Sequence, residues 1–462
     1  MTPMSVDSTL PPNLRNALDS EAGYVIVITG LPGTGKSLFV QEIMRQYPNA
    51  FILVTDSENA SNVNSRLNET IPDWENRHIE VHYWRENNID INSQLTVKDI
   101  LSTIYPESSA GLNSDMIIID SWTDFVKAIK EADRYSIQQA FVSAARKEKK
   151  KIVLVTELDL DTNRGLSHSS DAIITLKKQR KENRMYRELI IEKLRTLPLF
   201  QDTFLFTLDQ GRFTYIPWYI HQYPAITIER EPLSDPSTES ISTGNKSLDD
   251  LTGGGFKKAG LNLIEVDNLG APYIETVYIP FLSNHLLLGR PAVIILPEGW
   301  SPNRFTNGLT HFVDISTVAK QVVFFGRHAL GENVNVRDID DDPWKTLQEI
   351  RYESDKLERE FNNDVTQLVA IDTLENKYGE STAKGLIAEI SAGQPSNTRA
   401  IIAILSRQQS INSEALSPIQ HLRVQEINGV LTICGMNPRT NFLVVKPILS
   451  KGYLDYELIP IV

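Results

Sequence analysis

Short, almost wholly apolar runs punctuate this chain, and the stretches between them carry apolar residues at helical spacing. In the first half the runs are 24–29 (YVIVIT), 51–55 (FILVT), 116–120 (MIIID), 152–156 (IVLVT) and 172–176 (AIITL). In the second half they are 261–266 (LNLIEV), 292–296 (AVIIL), 368–372 (LVAID), 401–405 (IIAIL) and 442–446 (FLVVK). Runs this short, apolar on both faces and separated by helices, predict buried parallel strands in a sheet covered by helices. Residues 188–193 and 203–207 read as an antiparallel edge.

The spacings repeat as well as the order. Asp120 to Lys193 is 73 residues and Asp372 to Lys446 is 74; Asp120 to Thr156 is 36 and Asp372 to Ser406 is 34. Matches in sequence order predict a duplicated design, with the join in the Pro-, Ser- and acid-rich stretch 217–240. The boundaries are set at 1–225 and 226–462, two domains of ordinary size.

The chemistry concentrates in one place. Gly30-Leu31-Pro32-Gly33-Thr34-Gly35-Lys36-Ser37 fits G-x-x-x-x-G-K-[ST]. It follows a predicted strand and precedes Leu38–Met44, whose apolar residues are helically spaced. The loop therefore opens a helix whose first N–H groups and positive dipole end meet an anion. Glycine at 30, 33 and 35 allows close backbone approach, Lys36 reaches the terminal phosphates of a nucleotide, and Ser37 can ligate Mg²⁺. Leu38 closes the binding segment. Asp120, at a strand end, is the second residue placed on the Mg²⁺ shell. After the second run come Asp56 and Glu58; a carboxylate there can orient and deprotonate the attacking water, with Glu58 the candidate and Asp56 its competitor.

Composition narrows the rest. A net charge of −13 makes the whole chain a poor polyanion binder, although a local patch of six Lys/Arg lies at 177–187. The single Cys434 excludes an internal disulfide and gives no zinc-site spacing. No signal segment or membrane-length apolar run is present, so a cytoplasmic location is expected.

The order GLPGTGKS, VTDSEN, MIIIDS, VLVTE resembles the RecA-like ATPases, especially the KaiC and recombinase-paralogue branch. The resemblance implies two tandem RecA-like α/β domains, and it implies that Glu58 is the catalytic base. It also implies that a K-x-R element, here Lys193 and Arg195, reaches the nucleotide of the next subunit in a homo-oligomer, a ring or dimer. The plainer reading of that element is an edge strand kept soluble by charge. The stretch 242–256, with its TG…LD-x-L-x-GGG pattern, resembles the opening of tandem KaiC-like chains. There the following phosphate loop is degenerate: Tyr273 and Ile274 stand for the Lys and Ser, Asp267 adds negative charge, and Pro272 removes an N–H. Lys446 survives where Lys193 would be, but Ile448 replaces the Arg. An intact first domain followed by a degenerate second is similar to the archaeal gas-vesicle regulator (GvpD-like) group. Membership would imply a slowly hydrolysing, ATP/ADP-binding regulator that restrains a protein partner, with basic segments such as 177–187 taking part. Two other readings stay open: a recombinase-like ATPase acting on DNA, and an ATP-binding scaffold without hydrolysis.

Overall fold

The computed structural model describes residues 9–55, 60–71, 74–77, 79–83, 114–127, 131–157, 160–195, 198–225, 230–326, 334–392 and 399–462. The chain divides into two compact units, Met1–Pro217 with Ile461–Val462, and Trp218–Pro460.

The first unit is a nine-stranded sheet. Its strands are β1 Tyr24–Gly30, β2 Ala50–Val54, β3 Ile79–Tyr83, β4 Met116–Asp120, β5 Lys151–Thr156, β6 Ala172–Lys181, β7 Arg184–Leu194, β8 Thr203–Thr207 and β9 Thr214–Ile216. They lie in the order β3-β2-β4-β5-β1-β6-β7-β8-β9. β3 to β6 pair in parallel and β6 to β9 antiparallel. β1 is central and buried throughout, which explains its unbroken apolar sequence. Ile26 and Ile28 pack on one side with Leu14 of the helix α1, Pro12–Asp19, and with Phe39 and Ile43 of the helix α2, Lys36–Gln46. Val25 and Val27 pack on the other with Trp122, Phe125 and Phe141. Helices on both faces of a mostly parallel sheet are the expected α/β layering.

The second unit repeats this design. After a small pair, β10 Ser240–Ile241 and β11 Phe256–Lys257, its ten-stranded sheet contains β12 Leu261–Val266, β13 Ala292–Ile295, β14 Val322–Gly326, β15 Asn335–Asp338, β16 Thr366–Ala370, β17 Ala400–Ser406, β18 Gln420–Ile427, β19 Val430–Asn437, β20 Leu443–Pro447 and β21 Tyr456–Pro460. The order β14-β13-β16-β17-β12-β18-β19-β20-β21 matches the first sheet strand for strand, with β15 added at the edge. Two tandem RecA-like α/β domains are thus present.

That order corrects one detail of the sequence reading. β7, which carries Lys193, corresponds to β19, whereas Lys446 lies on β20, one strand further out. The 74-residue spacing counted through a hairpin, β18–β19, that the apolar pattern does not reveal. The run 368–372 also ends early as a strand: β16 stops at Ala370, and Ile371–Tyr378 is helical.

The stretch following Pro217 is built into the second unit. The Tyr219 amide donates to the Gly429 carbonyl (2.9 Å), and the Trp218 ring covers Gly429 so closely that an added Cβ would sit 2.6 Å from it. His221 Nε2 and the Tyr223 hydroxyl both hydrogen-bond Glu275, a buried carboxylate on the helix Ala271–Leu287. Among the described residues no helix is long and apolar enough to cross a membrane.

Candidate functional site

β1 delivers Gly30 to the carboxyl edge of the first sheet, where Gly30 pairs with Leu176 of β6. The loop from Gly30 to Gly35 then turns into α2, with Gly33 at φ 75° and Gly35, the N-cap, at φ 103°. Both values lie where a Cβ is disfavoured, and a Cβ at Gly30 would sit 2.6 Å from the Leu176 carbonyl oxygen. Leu31, at the loop's tip, is exposed, and Pro32 and Gly33 are exposed beside it. Thr34 is buried and its hydroxyl donates to the Leu31 carbonyl (2.8 Å). Leu38 packs against the core that holds α2.

A cavity of about 210 Å³ opens against this loop, lined by Gly33, Lys36, Ser37, Asp120, Thr156 and Glu157 among others. Lys36 Nζ folds back to donate to the carbonyls of Gly30 (2.7 Å) and Leu31 (3.2 Å). Burial lowers its pKa, and the carboxylates of Glu157 and then Asp120 oppose that shift. The Ser37 hydroxyl donates to Asp120 Oδ2 at 3.4 Å. Among the described residues Thr156 Oγ1, buried in the same cavity wall, has no hydrogen-bond partner. A flexible cation, a hydroxyl facing a carboxylate and a glycine-shaped loop fit a nucleotide polyphosphate with Mg²⁺. Ser37 and Asp120 are the residues that would hold the metal. When bound, Mg²⁺ neutralises charge on the phosphate oxygens.

Thr55 ties the end of β2 to this edge: its amide donates to the Asp120 carbonyl (2.8 Å), and its hydroxyl accepts from the Ser121 amide (2.8 Å). The segment carrying Asp56 and Glu58 starts there, and both residues lie outside the described residues. Glu157, the last residue of VLVTE, is an addition that the structure makes to the site. The available signal was its position one residue past β5, on the same sheet edge as Asp120.

Lys193 and Arg195 are not brought to this cavity. Leu194 pairs with Ala172, four residues before the Leu176 that flanks Gly30, so the K-x-R element sits about 13 Å back along the strands. Lys193 Nζ donates to the Ser167 carbonyl (2.7 Å), and Arg195 to the His168 carbonyl (2.9 Å) and to Asp171 Oδ1 (3.3 Å). Within one chain these cations hold the end of the helix Leu160–Ser169.

The basic stretch 177–187 spans the hairpin of β6 and β7, turning at Glu182 and Asn183, both at positive φ. Its field is smaller than six cations suggest, because Arg184 and Arg187 are only 2% and 8% exposed. Lys178 and Arg180 are exposed, and Lys177 and Lys181 are half-buried.

At the corresponding edge of the second unit, the helix Ala271–Leu287 starts directly after Gly270. Tyr273 and Ile274 are buried in the core, and Asp267 pairs with Arg407 Nη1 at 3.0 Å. Asp372 is 1% exposed; one oxygen accepts from the Glu298 amide (2.7 Å), and the other has no hydrogen-bond partner among the described residues. Burial pushes its pKa up to about 6, above the ordinary 3.8. The folded chain therefore holds this proton more tightly than the unfolded one. The resulting cost is absent below pH 3.8, grows as pH rises towards 6, and is complete above that, at about 3 kcal/mol. Asp372→Asn is expected to stabilise the protein by about 2–3 kcal/mol near neutral pH and by little near pH 4. Chemical denaturation at both pH values checks this, and an equal gain at both would remove the carboxylate as its cause.

The sheet order, the loop and the Ser37–Asp120 pair define the first unit as a RecA-like P-loop ATPase domain. A family model described as "ATPase: KaiC" matches residues 21–216. The chain is also similar to the Halobacterium salinarum proteins named GvpD2, 25% identical over 341 residues, and GvpD1, 25% identical over 338. Each match covers 68% of this chain, and 65% and 60% of the two relatives' own lengths. Residues 21–216 therefore form a KaiC-like ATPase domain, and GvpD proteins are among the relatives of the chain.

Proposed function

We propose that this chain is a regulatory ATPase that binds one MgATP in its first unit, hydrolyses it slowly and reports its nucleotide state to a partner protein. The observation that supports it most is the convergence of Lys36, Ser37, Asp120 and Glu157 on one cavity, against the buried Tyr273 and Ile274 of the second unit. In this reading residues 30–38 cradle the phosphates, and Ser37 and Asp120 hold Mg²⁺. Glu58 orients and activates the water, while Glu157 acts on Lys36 electrostatically. The second unit is a RecA-like domain without a nucleotide cradle. The GvpD relatives support a regulatory output, and the hairpin cations Lys178, Arg180 and Lys181 are the surface offered to an acidic partner. Titration calorimetry tests the core of this reading: one MgATP per chain is expected, and two equivalent sites would refute it.

Lys193 and Arg195 serve the neighbouring subunit of a homo-oligomer, where each neutralises charge developing on the γ-phosphate. Their distance from the cavity of their own chain motivates this role. Arg195→Ala and Lys36→Ala chains, each inactive alone, are expected to regain part of the ATPase activity when mixed, since each supplies what the other lacks. No recovery at any ratio of two folded chains would mean that the site is complete within one subunit.

A further inference from the structure

Two cations grip the phosphate loop, and only one of them belongs to its motif. Lys36 holds the loop's entry through the Gly30 and Leu31 carbonyls. The loop's far end, where it runs into α2, is held from outside, by Arg187 of β7: its Nη1 donates to the carbonyls of Gly33 (3.1 Å) and Thr34 (3.2 Å). Arg187 Nε donates to the Val462 carbonyl (2.6 Å), which belongs to the same unit. The guanidinium is buried, so these bonds are made away from water, where they are strong and their loss is costly.

We propose that Arg187 is a positioning residue for nucleotide binding, the brace that holds the phosphate loop in its phosphate-accepting shape and ties the basic hairpin to that loop. The inference rests on the reading of 30–37 as the nucleotide cradle. Gripping two successive carbonyls fixes two successive peptide planes, and the second of these planes carries the Gly35 N–H. A positive charge on the Thr34 carbonyl also polarises that peptide and strengthens its N–H as a donor to an anion. The two cations have different fates. Lys36 must leave the Gly30 and Leu31 carbonyls to reach a phosphate, so the loop loses its inner clamp when it is loaded. Arg187 donates to carbonyls and has no such conflict, so it keeps the loop shaped while Lys36 swings.

The same contact reaches the hairpin. Arg187 pairs with Lys178 across the β6–β7 ladder, and the turn at Glu182 and Asn183 lies beyond that pair. Order imposed on the loop by a nucleotide therefore passes to the root of the hairpin, and order imposed on the hairpin returns to the loop by the same free energy.

The test uses the full chain with MgADP as probe. Arg187→Ala is expected to bind MgADP about ten- to a hundredfold more weakly than wild type, the range for removing a residue that orients a direct ligand. Millimolar guanidinium chloride, which fits the space vacated by the side chain, is expected to restore much of that loss, whereas equal sodium chloride is not. A merely structural defect would not show this selectivity. Hydrogen exchange on the unmodified chain needs no variant: MgADP is expected to slow exchange across residues 178–187. Affinity within a few-fold of wild type in Arg187→Ala overturns the brace. So does a hairpin whose exchange ignores MgADP in the wild type, and that result decides the matter should the variant fail to fold. A wild-type chain that binds no MgADP refutes the cradle reading itself, a result distinct from both.

Discussion

Replacing Lys36 by alanine is expected to weaken MgATP binding by about a hundredfold or more, with the fold intact. The ammonium is half-buried at the cavity wall and faces the Glu157 and Asp120 carboxylates. Taking it away leaves two acids beside the phosphates with no cation from the loop to offset them. The variant should also lose most of the effect of nucleotide on thermal stability, since a ligand stabilises a state only as far as it binds it. Calorimetry and melting curves with and without MgATP check both. Undiminished affinity in Lys36→Ala would place the nucleotide elsewhere.

Glu58→Gln is expected to leave MgATP binding unchanged and to slow hydrolysis by about 10²–10⁴, the range for loss of a positioned general base. Glutamine keeps the size and the hydrogen bonding but cannot take a proton. Single-turnover hydrolysis is the measurement, with Glu157→Gln beside it. Glu157 acts on Lys36 electrostatically, so its loss should change affinity more than the chemical step. Wild-type turnover in Glu58→Gln would move the role to Asp56. A collapse of turnover in Glu157→Gln at unchanged affinity would assign the water to Glu157.

The first unit was more legible in the sequence than the second, for physical reasons. A parallel strand covered on both faces must be apolar throughout, so β1, β2, β4 and β5 announce themselves, and the phosphate loop follows from its glycines and its place after β1. β18 hides because its polar residues are inside. Gln420, His421, Arg423 and Gln425 are all buried, and His421 and Arg423 both hydrogen-bond Glu265 of β12, more than 150 residues earlier. No local pattern can show that pairing. Missing β18 and β19 then displaced the equivalence of Lys446 by one strand. The buried state of Arg187 escaped for the same reason, since a run of cations reads as solvated until a distant loop supplies its acceptors. Glu157 was visible as a letter in VLVTE, but its task depends on Lys36, which only the sheet order brings near.

The packing of Tyr219, His221 and Tyr223 decides where the chain can be divided. Proline and acid content places a seam near residue 226, but severing the chain there would strip His221 and Tyr223 from Glu275 and strand a carboxylate in the interior. It would also uncover Gly429, which lies beneath Trp218. Severing ahead of Trp218 keeps both intact. The second unit therefore begins inside what composition reads as spacer, and its opening residues serve as a fastening.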